Sequence, residues 1–416
     1  MCGIYSFIFS NSRKLFHADK TRLPTKIKAT NTLDFENLQK YLNFEAMKVL
    51  FAGDASNMHN CLAQELRRMG HDAVVASNGS GWMNCDRDIN LYRGKGKIGA
   101  MAYVAKILKA LPKMKGYDVV ELAGPLFFTL KPNRVKMVFD YLKKHNGKIV
   151  LSAIGTDYVY YQACHDGHTY RYSDYMVGSE PSPYVNSEEY KRQQQDNWGQ
   201  PFMKEHSDHV LANVDGVVAC LWEYYAAYAP IMGDKLAYAG IPIDVEALQP
   251  HFTENEPEKV RFFIGIQRDR NVIKGTDRLL EALKKVVAEM PDKCEMEVVE
   301  SVPYAEYIER MNKSHVILDQ LYSYTPATNA LLAMAQGMVA VSGAEPEYYD
   351  LIGETDNRPI INVCPTPEGD IEEKLRWIVA HKAELPAMSR ASRAFVEKHN
   401  AAKIVAQRYL NFWESL

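Results

Sequence analysis

The sequence lacks the features that mark several specialised classes of protein. Its 49 lysines and arginines nearly balance its 52 aspartates and glutamates, so the formal net charge of -3 gives no electrostatic reason to expect nucleic acid as a partner. The seven cysteines are scattered, odd in number and without a C-x-x-C pair, which predicts reduced thiols in a cytoplasmic setting. The longest apolar stretch, residues 119–130, contains Glu121 and Pro125 and is shorter than the roughly 20 residues that cross a bilayer.

Motifs of several enzyme chemistries are missing as well. There is no zinc-ligand spacing, no Ser-His-Asp constellation, no P-loop and no G-x-G-x-x-G fingerprint of a dinucleotide site. His59 stands alone near a predicted helix start, where a histidine is more often structural or exposed than catalytic. With 47% hydrophobic and 24% charged residues over 416 positions, the composition is that of a globular protein with two or three domains.

The first residues, MCGIYSF, resemble the start of the N-terminal-nucleophile glutamine amidotransferases, in which Cys2 would be the nucleophile after removal of the methionine. The resemblance covers about six residues and then ends. The next forty residues are polar, alternate little and carry none of that family's further motifs. A much stronger pattern begins at Met47. We therefore interpret residues 1–46 as an N-terminal extension, either poorly ordered or an upstream read-through.

Predicted strands and helices alternate from Met47 onward. The stretch MKVLFAGDASNMHNCLAQELRRMGHDAVVAS predicts a buried strand, a loop, an amphipathic helix and a second strand. YDVVELAGP and GKIVLSAIGTD add strands on either side of the helix PNRVKMVFDYLKKH. This alternation predicts an α/β fold with parallel sheets covered on both faces. Ligands bind at the carboxyl ends of such strands, so the loop that starts at Gly53 and residues 155–157, which end with Asp157, are the expected site in this half.

A polar stretch with two prolines, residues 249–260, predicts a linker, and a second alternation follows it. In this second half the loop QRDRNVIKG concentrates Arg268, Arg270 and Lys274 between a strand and a helix start. Cations in that place can pair with phosphate. A solvated surface loop explains the same residues equally well when they are taken alone.

The segment SYTPATNALLAMAQGMVAVSG, residues 323–343, predicts a loop, a helix and a strand. Thr325 is a suitable N-cap, the next proline suits the first turn, and Gly337 suits the position after the helix. Such a start directs backbone N–H groups at anions, although the segment contains no acid, base or cation. After the next strand, Glu345 and Glu347 are placed either to accept hydrogen bonds from sugar hydroxyls or to cap the following helix.

Residues 47–416 resemble the GT-B glycosyltransferases, most closely the retaining group 1, or family 4, enzymes that use nucleotide sugars. The matching segments occur in the family's order: ELRRMGHDAVV, GTD, GIPIDVEALQP, GIQRDRNVIKGTDRLLEAL and DQLYSYTPATNALLAMAQGMVAVSGAEPEYY. The resemblance implies two Rossmann-like, parallel-sheet domains facing a central cleft. It places an acceptor domain at residues 47–248, a nucleotide-sugar donor domain at 258–388, and a C-terminal helix, 389–416, that packs back on the N-domain.

The resemblance also implies roles for individual residues. Catalytic roles fall on Asp157, Arg268 and Lys274. Donor-binding roles fall on Gly53, Arg270, Thr325, Ala327, Thr328, Glu345 and Glu347. The cations and the helix start would hold the donor diphosphate, the glutamates would contact nucleotide or sugar hydroxyls, and the first loop with Asp157 would face the acceptor and the transferred sugar. The family needs no tightly bound metal, because cations and a helix dipole offset the leaving-group charge.

The chain departs from the family at two glutamates that stand eight positions apart. They would fall at Tyr324 and Leu332, and a leucine cannot accept a hydrogen bond from ribose. Losing a charged partner typically weakens binding by about 1.5–3 kcal/mol. The sequence thus predicts a glycosyltransferase of the hexosyltransferase type and leaves two alternatives. One is a catalytically silent GT-B protein that acts as a binding partner or regulator. The other is a GT-B nucleotide-sugar epimerase, which is disfavoured because this sequence shows no evident cluster of acid/base carboxylates.

The implied reaction moves a sugar from a UDP- or GDP-linked donor to a saccharide or lipid-linked acceptor, as in polysaccharide biosynthesis. No tightly bound cofactor and no nucleic acid are expected. We expect a cytoplasmic protein, and peripheral contact with the inner membrane face stays open because a local basic or apolar face does not register in overall composition. Residues 174–213, rich in Tyr, Gln and charge, predict a mostly surface insertion. The tyrosine-rich segment, residues 158–190, is expected to shape the choice of acceptor.

Overall fold

The computed structural model describes residues 46–193 and 195–416. Residues 1–45, and with them Cys2 and nearly all of the predicted extension, lie outside this described part. Within it, two parallel sheets form the centres of two α/β lobes. The α/β class predicted from the alternation of strands and helices is therefore confirmed.

Seven parallel strands form the sheet of the first lobe. They are β1 Lys48–Ala52, β2 Asp72–Ser77, β3 Ile89–Asn90, β4 Val119–Ala123, β5 Lys148–Ala153, β8 Gly216–Ala219 and β9 Leu236–Tyr238, and a separate antiparallel ribbon joins β6 Met176–Val177 to β7 Glu180–Pro181. The sheet order is β3-β2-β1-β4-β5-β8-β9. Val49 lies in register with Ala73 on one side and Val119 on the other. The central strands are buried along nearly their whole length, as expected for a sheet with helices on both faces.

Five parallel strands form the sheet of the second lobe. They are β10 Val260–Ile266, β11 Cys294–Glu300, β12 Val316–Leu318, β13 Val339–Ser342 and β14 Ile361–Asn362. The sheet order is β11-β10-β12-β13-β14, with β10 in the register Phe262 to Val316 against β12. Phe262, Ile264 and Val316 are completely buried beneath the helices that cover the sheet.

Helices cover both sheets. Those of the first lobe are α1 Met58–Arg68, α2 Gly96–Ala110, α3 Pro132–His145, α4 Tyr158–His165, α5 Glu188–Gln193, α6 Pro201–Asn213 and α7 Trp222–Met232. Those that follow the linker are α8 Asn271–Lys274, α9 Thr276–Glu289, α10 Tyr304–Met311, α11 Thr328–Ala335, α12 Pro346–Ile352, α13 Asp370–Ala380, α14 Leu385–His399 and α15 Ala402–Ser415. The amphipathic pattern of the sequence is realised in α1, whose Leu62 and Leu66 pack on the first sheet.

The C-terminal helix α15 packs against the first sheet, although it follows the whole of the second lobe in the chain. Its Tyr409 and Trp413 are completely buried against Val49, Phe51 and other residues of that sheet. Trp413 donates its indole N–H to Glu121 Oε2 of β4 at 3.0 Å. The chain therefore crosses between the lobes twice, once in the linker after β9 and once at the start of α15.

Residues 174–213 are mostly exposed or partly buried, as predicted, but a few side chains in the first part of that range lie in the interior. Tyr175, Tyr184 and Glu189 are buried. The tyrosines pack edge to face on one another and on Tyr161 of α4, which removes their rings from water. The sequence gives no sign of this burial, because the rings are packed by irregular loops rather than by a periodic element.

Candidate active site

A cleft of about 510 Å³ lies between the two lobes. It is bounded by loops at the carboxyl ends of both sheets, which is where open parallel sheets bind ligands, and its volume is typical of small-molecule sites. Its charged and polar lining includes Asp54, Thr156, Asp174, Glu223, Arg270, Lys274, Thr328 and Asn329. The cleft thus brings cations of the second lobe opposite carboxylates of the first.

Lys274 and Arg270 supply the positive charge of the cleft. Lys274 ends the short helix α8, and Gly275 follows with φ of +68°. A Cβ atom at Gly275 would lie 2.8 Å from the Cβ of Leu321, so only glycine permits the abrupt start of α9 behind the lysine. Lys274 Nζ lies 3.3 Å from Oδ1 of Asp319, which is buried. This carboxylate fixes the ammonium group at the wall of the cleft.

The helix α11 begins at the cleft, and its N-cap lies two residues after the predicted one. Ala327 occupies the N-cap position and Thr328 is the first helical residue. Thr325 is not the cap: its hydroxyl accepts a hydrogen bond from the backbone N–H of Trp222 at 3.0 Å, outside the cleft. The predicted positions Ala327 and Thr328 both line the cleft. A helix N-terminus therefore faces the same space as Lys274.

Asp54 places a carboxylate on the opposite wall. The preceding Gly53 has φ of +85° and passes so close to Phe127 that a Cβ atom would lie 2.5 Å from its carbonyl oxygen. Asp54 Oδ1 accepts the backbone N–H of His59 at 2.9 Å. Its Oδ2 is buried and has no hydrogen-bond partner among the described residues. The sequence pointed to Gly53, whereas the residue that lines the cleft is the next one, Asp54.

Glu223 and Asp174 are two further carboxylates that the sequence did not single out. Glu223 Oε1 accepts the backbone N–H groups of Tyr324 and Thr325, while its Oε2 is buried without a partner in the described chain. Burial raises the pKa of Glu223, and it raises the pKa of Asp174 to about 6. The signal that could have found Glu223 is its position in the first turn of α7, four residues after the end of the buried strand β8.

Asp157 and Arg268, both predicted to be catalytic, do not line the cleft. Asp157 is the N-cap of α4, and its two oxygens accept hydrogen bonds from the Tyr160 backbone N–H at 2.8 Å and from the Tyr228 hydroxyl at 2.5 Å. Arg268 points to the surface and pairs with Glu300 at 2.8 Å. Both side chains have partners within the protein, and neither is part of the cleft lining, so their catalytic roles stay predictions.

Glu345 and Glu347, predicted to contact hydroxyl groups of the donor, are also bound by the protein itself. The Tyr172 hydroxyl donates to Glu345 Oε1 at 2.6 Å, and Arg171 pairs with both glutamates. Burial of Glu345 would raise its pKa, but hydrogen bonds from Tyr172 and its neighbours outweigh this and lower the pKa. Neither glutamate lines the cleft, because the tyrosine-rich segment covers them.

Tyr324, which stands where the family has its first glutamate, is covered by the same segment. Its hydroxyl oxygen accepts the backbone N–H of Arg171 at 2.6 Å and that of Tyr172 at 3.3 Å. Its ring is stacked between those of Tyr172 and Trp222, with centroid separations of 4.8 and 4.6 Å. Leu332, by contrast, lines the cleft. One of the two replaced positions is therefore filled by protein, and the other presents an apolar surface.

A second contact joins the tyrosine-rich segment to the second lobe. The buried Glu189 carboxylate accepts the backbone N–H groups of Val272 and Ile273, at 3.0 and 3.1 Å, in the first turn of α8. We call Arg171, Tyr172 and Glu189, with these contacts to the second lobe, the clasp. It ties the segment both to the strand end before α12 and to the helix that ends in Lys274.

Two wider features of the described residues complete the picture. No group of three or more His, Cys, Asp or Glu side chains in residues 46–193 and 195–416 is arranged to hold a metal ion. None of the helices in this part of the chain is both long enough and apolar enough to span a bilayer.

Solved structures with this architecture include several proteins of low sequence identity. Sucrose-phosphate synthase from Thermosynechococcus elongatus superposes with a TM-score of 0.58 at 12% identity, over 89% of this chain and 99% of that one. The catalytic domain of starch synthase IV from Arabidopsis thaliana, bound to ADP and acarbose, gives 0.54 at 9% over 89% and 99%. HepE from Anabaena, in complex with UDP and glucose, gives 0.52 at 13% over 89% and 100%.

These likenesses establish the fold. The chain has the two-domain, Rossmann-like GT-B architecture that its sequence resemblance implied. No protein-family model matches the sequence, and no curated protein does so either.

Proposed function

We propose that the protein transfers a sugar from a nucleoside-diphospho-sugar to an acceptor hydroxyl bound in the cleft. The observation that carries the proposal is the pairing of Lys274, Arg270 and the α11 N-terminus on one wall with the unpartnered carboxylate oxygen of Asp54 on the other. A diphosphate fits the first wall, because cations and helix N–H groups both bind phosphate oxygens. Support also comes from the nucleotides and sugars bound in two structural neighbours, HepE and starch synthase IV.

The chemistry follows from the charges. The bond between the anomeric carbon and the diphosphate oxygen breaks, and its electron pair leaves with the diphosphate. Lys274, held by Asp319, and Arg270 stabilise that charge together with the start of α11. The oxygen of the acceptor hydroxyl forms the new bond to the anomeric carbon, and its proton passes to the departing diphosphate oxygen. Asp54 accepts a hydrogen bond from another hydroxyl of the sugar or acceptor and orients that substrate for the attack. Glu223 offers a second buried oxygen of the same kind.

We further propose a UDP- or GDP-linked hexose as donor, a saccharide or lipid-linked acceptor, and transfer with retention. The motif order of the sequence supports retention, as in the retaining enzymes that it resembles. UDP is favoured among the donors by the UDP bound in the HepE neighbour. Leu332, on the cleft wall, would pack against the nucleotide without hydrogen-bonding its ribose.

The test is a thermal-shift and calorimetry panel with UDP, GDP, ADP and their sugar conjugates. A ligand at a hundred times its dissociation constant should stabilise the fold by about 2.7 kcal/mol. In the Lys274→Met variant the affinity for the stabilising nucleotide should fall about ten- to a hundredfold, because a charge-assisted contact to phosphate is lost. Sugar transfer to a panel of acceptors is then measured with that donor.

Arg268→Gln is the matched control, because Arg268 lies six residues from Lys274 in the same loop and outside the cleft. It should leave nucleotide affinity unchanged. The donor site is wrong if no nucleotide raises the melting temperature, or if the Lys274 and Arg268 variants behave alike.

A second candidate is a catalytically silent binding module with the same fold. The specific observation in its favour is the state of the two replaced glutamate positions: the Tyr324 hydroxyl is taken up by the clasp, and Leu332 carries no polar group. This candidate predicts that a nucleotide binds but that neither transfer, hydrolysis nor epimerisation of its sugar occurs. Product analysis over the acceptor panel separates the two functions.

A further inference from the structure

The outward face of α2 carries a stripe of exposed apolar side chains. Ile98, Met101 and Leu108 have 85%, 75% and 62% of their surface exposed. Their spacing of three and seven residues sets them on one face of the helix. Tyr103 and Ile107, on another face, are buried in the first lobe. The helix therefore has two apolar faces, and no described part of the chain covers the outer one.

The charged residues next to this stripe in the sequence are all of one sign. Between Leu91 and Tyr117 the sequence contains seven lysines and arginines and no aspartate or glutamate. These cations are Arg93, Lys95, Lys97, Lys106, Lys109, Lys113 and Lys115. All seven are exposed, and none forms an ion pair within the described part of the chain. Because the whole chain has a net charge of -3, this positive surface is a local feature of α2 and its flanks.

We propose that α2 docks the protein on an anionic lipid bilayer. The apolar stripe would enter the boundary between headgroups and acyl chains, and the flanking lysines would lie against the anionic headgroups. The three apolar side chains favour a bilayer over nucleic acid, because Ile98, Met101 and Leu108 gain nothing from a phosphate backbone. Cations that form no ion pair with the described residues, on both flanks of the stripe, suit a fluid sheet of negative charge better than the discrete carboxylates of a protein.

The position of α2 also relates this surface to the cleft. Tyr103, on its inner face, lines a cavity of about 160 Å³ together with Asp54, Asn78 and Ile154, and these three residues line the cleft as well. The helix thus separates the proposed bilayer from the first-lobe side of the cleft. This relation favours a lipid-linked acceptor, a point that rests on the proposed transfer function. The docking itself does not depend on that function.

The experiment is co-sedimentation of the full chain with large unilamellar vesicles, without any nucleotide. Vesicles of phosphatidylcholine with 30% phosphatidylglycerol (about one anionic lipid in three) are compared with pure phosphatidylcholine. We expect binding to the anionic vesicles that weakens steeply as salt is raised, and little binding to the neutral ones. Because no nucleotide is present, failure here leaves the proposed transfer reaction untouched, and failure of the nucleotide panel leaves docking untouched.

Two variants separate the two contributions. Lys95→Gln with Lys97→Gln and Lys109→Gln should lower the partition coefficient on anionic vesicles about a hundredfold. Ile98→Ser with Met101→Ser and Leu108→Ser should lower it at least about tenfold and leave a residual, salt-sensitive binding. All six side chains are exposed, so we expect both variants to keep their fold. The melting temperature of each variant checks this.

Matched controls come from other faces of the molecule. Lys235→Gln with Lys284→Gln and Lys403→Gln removes the same charge from exposed positions elsewhere, and Ile231→Ser removes an exposed apolar side chain from α7. These controls should bind vesicles as the unaltered chain does. Equal binding to neutral and anionic vesicles, equal losses in α2 and control variants, or binding to a single-stranded oligonucleotide but to no vesicle would each overturn the proposal.

Discussion

At the scale of single residues, Asp54 shows how a fold can fix a carboxylate in the wall of a cleft. One carboxylate oxygen is fixed by the His59 backbone N–H, and the other is buried and has no partner among the residues that the structure describes. An unpaired buried oxygen is costly unless a ligand supplies the missing donor. The tight passage of Gly53 against Phe127 holds the loop in place.

We expect Asp54→Asn to lower kcat/KM for sugar transfer about ten- to a hundredfold, because a charge-assisted hydrogen bond to a substrate hydroxyl is weakened. The amide oxygen can still accept the His59 N–H, so the melting temperature should change little. The affinity for free UDP or GDP should also stay the same, since the diphosphate lies on the other wall. A parallel loss of nucleotide affinity would contradict this assignment.

The surroundings of Glu121 lead to a second prediction, which concerns how stability depends on pH. It is completely buried between the Ser152 hydroxyl, at 2.6 Å, and the Trp413 indole, and burial raises its pKa from 4.5 to about 8. Between these two values the folded protein holds a proton that the unfolded chain has released. The free energy of unfolding must therefore fall as pH rises from about 4.5 to about 8.

Glu121→Gln should remove this part of the pH dependence. The variant should match the unaltered chain near pH 5 and exceed its free energy of unfolding above pH 8, by an amount on the order of a few kcal/mol. Urea denaturation at pH 5, 7 and 9 measures the difference. The exposed Glu368→Gln serves as a control that should keep the original slope. A variant less stable than the unaltered chain at pH 9 would show that the charge is needed.

At the scale of elements, the clasp is the feature that could not be predicted from the sequence. The strands and helices around it were predictable. Buried parallel strands are apolar along their length, and the apolar residues of α1 and α3 recur at helical spacing. The contacts of Arg171 and Tyr172 with Tyr324 join positions about 150 residues apart, and no local pattern encodes them. For the same reason the sequence did not reveal that Tyr172 and Arg171 bind the Glu345 carboxylate, which was predicted to bind the donor.

The sequence could predict which residues lie at the cleft where this follows from their place after a strand, and their roles stay predictions. Lys274, Arg270, Ala327 and Thr328 line the cleft as their loops predicted. Asp157 has an equally suitable position after β5 but does not line the cleft, because its side chain turns back to cap α4. The direction of a side chain within a loop depends on packing that the sequence does not display.

We expect Arg171→Ala with Tyr172→Phe to loosen the clasp without unfolding the lobes. The ion pairs to Glu345 and Glu347 and the hydroxyl contact to Glu345 are lost, while the two sheets keep their cores. Amide hydrogen exchange in peptides covering residues 170–182 and 344–350 should become at least about tenfold faster. Arg192→Ala, at an exposed arginine on α5, should leave that exchange unchanged. Unaltered exchange in the double variant would mean that other contacts hold the segment.

At the scale of the whole molecule, the return of α15 makes the first lobe depend on the last residues of the described chain. Trp413 is completely buried in that lobe and also satisfies the Glu121 carboxylate. A further apolar cluster joins Ile154 and Ile241 to Ile317 and Leu331 of the second lobe. The lobes therefore share both covalent crossings and a common core.

Trp413→Ala should lower the free energy of unfolding by about 3–5 kcal/mol, since a large buried ring and a hydrogen bond are removed together. We expect far-ultraviolet circular dichroism and tryptophan fluorescence to report the same, lowered midpoint in urea. Trp377→Ala, which removes a partly exposed ring stacked on His381, should shift the midpoint far less. Two separate transitions in the unaltered chain would show that the lobes unfold independently.

The clasp has a consequence for the timing of the proposed transfer reaction. It spans from the first lobe to both the loop of Lys274 and the strand end at Glu345, so the lobes cannot separate until Glu189, Arg171 and Tyr172 release their partners together. Opening of the lobes would then require these contacts to break, and it would precede the departure of any product too large to leave through the closed cleft. The residence time of a bound nucleotide, and with it the turnover rate, would be set by the lifetime of the clasp rather than by the strength of the contacts around the diphosphate.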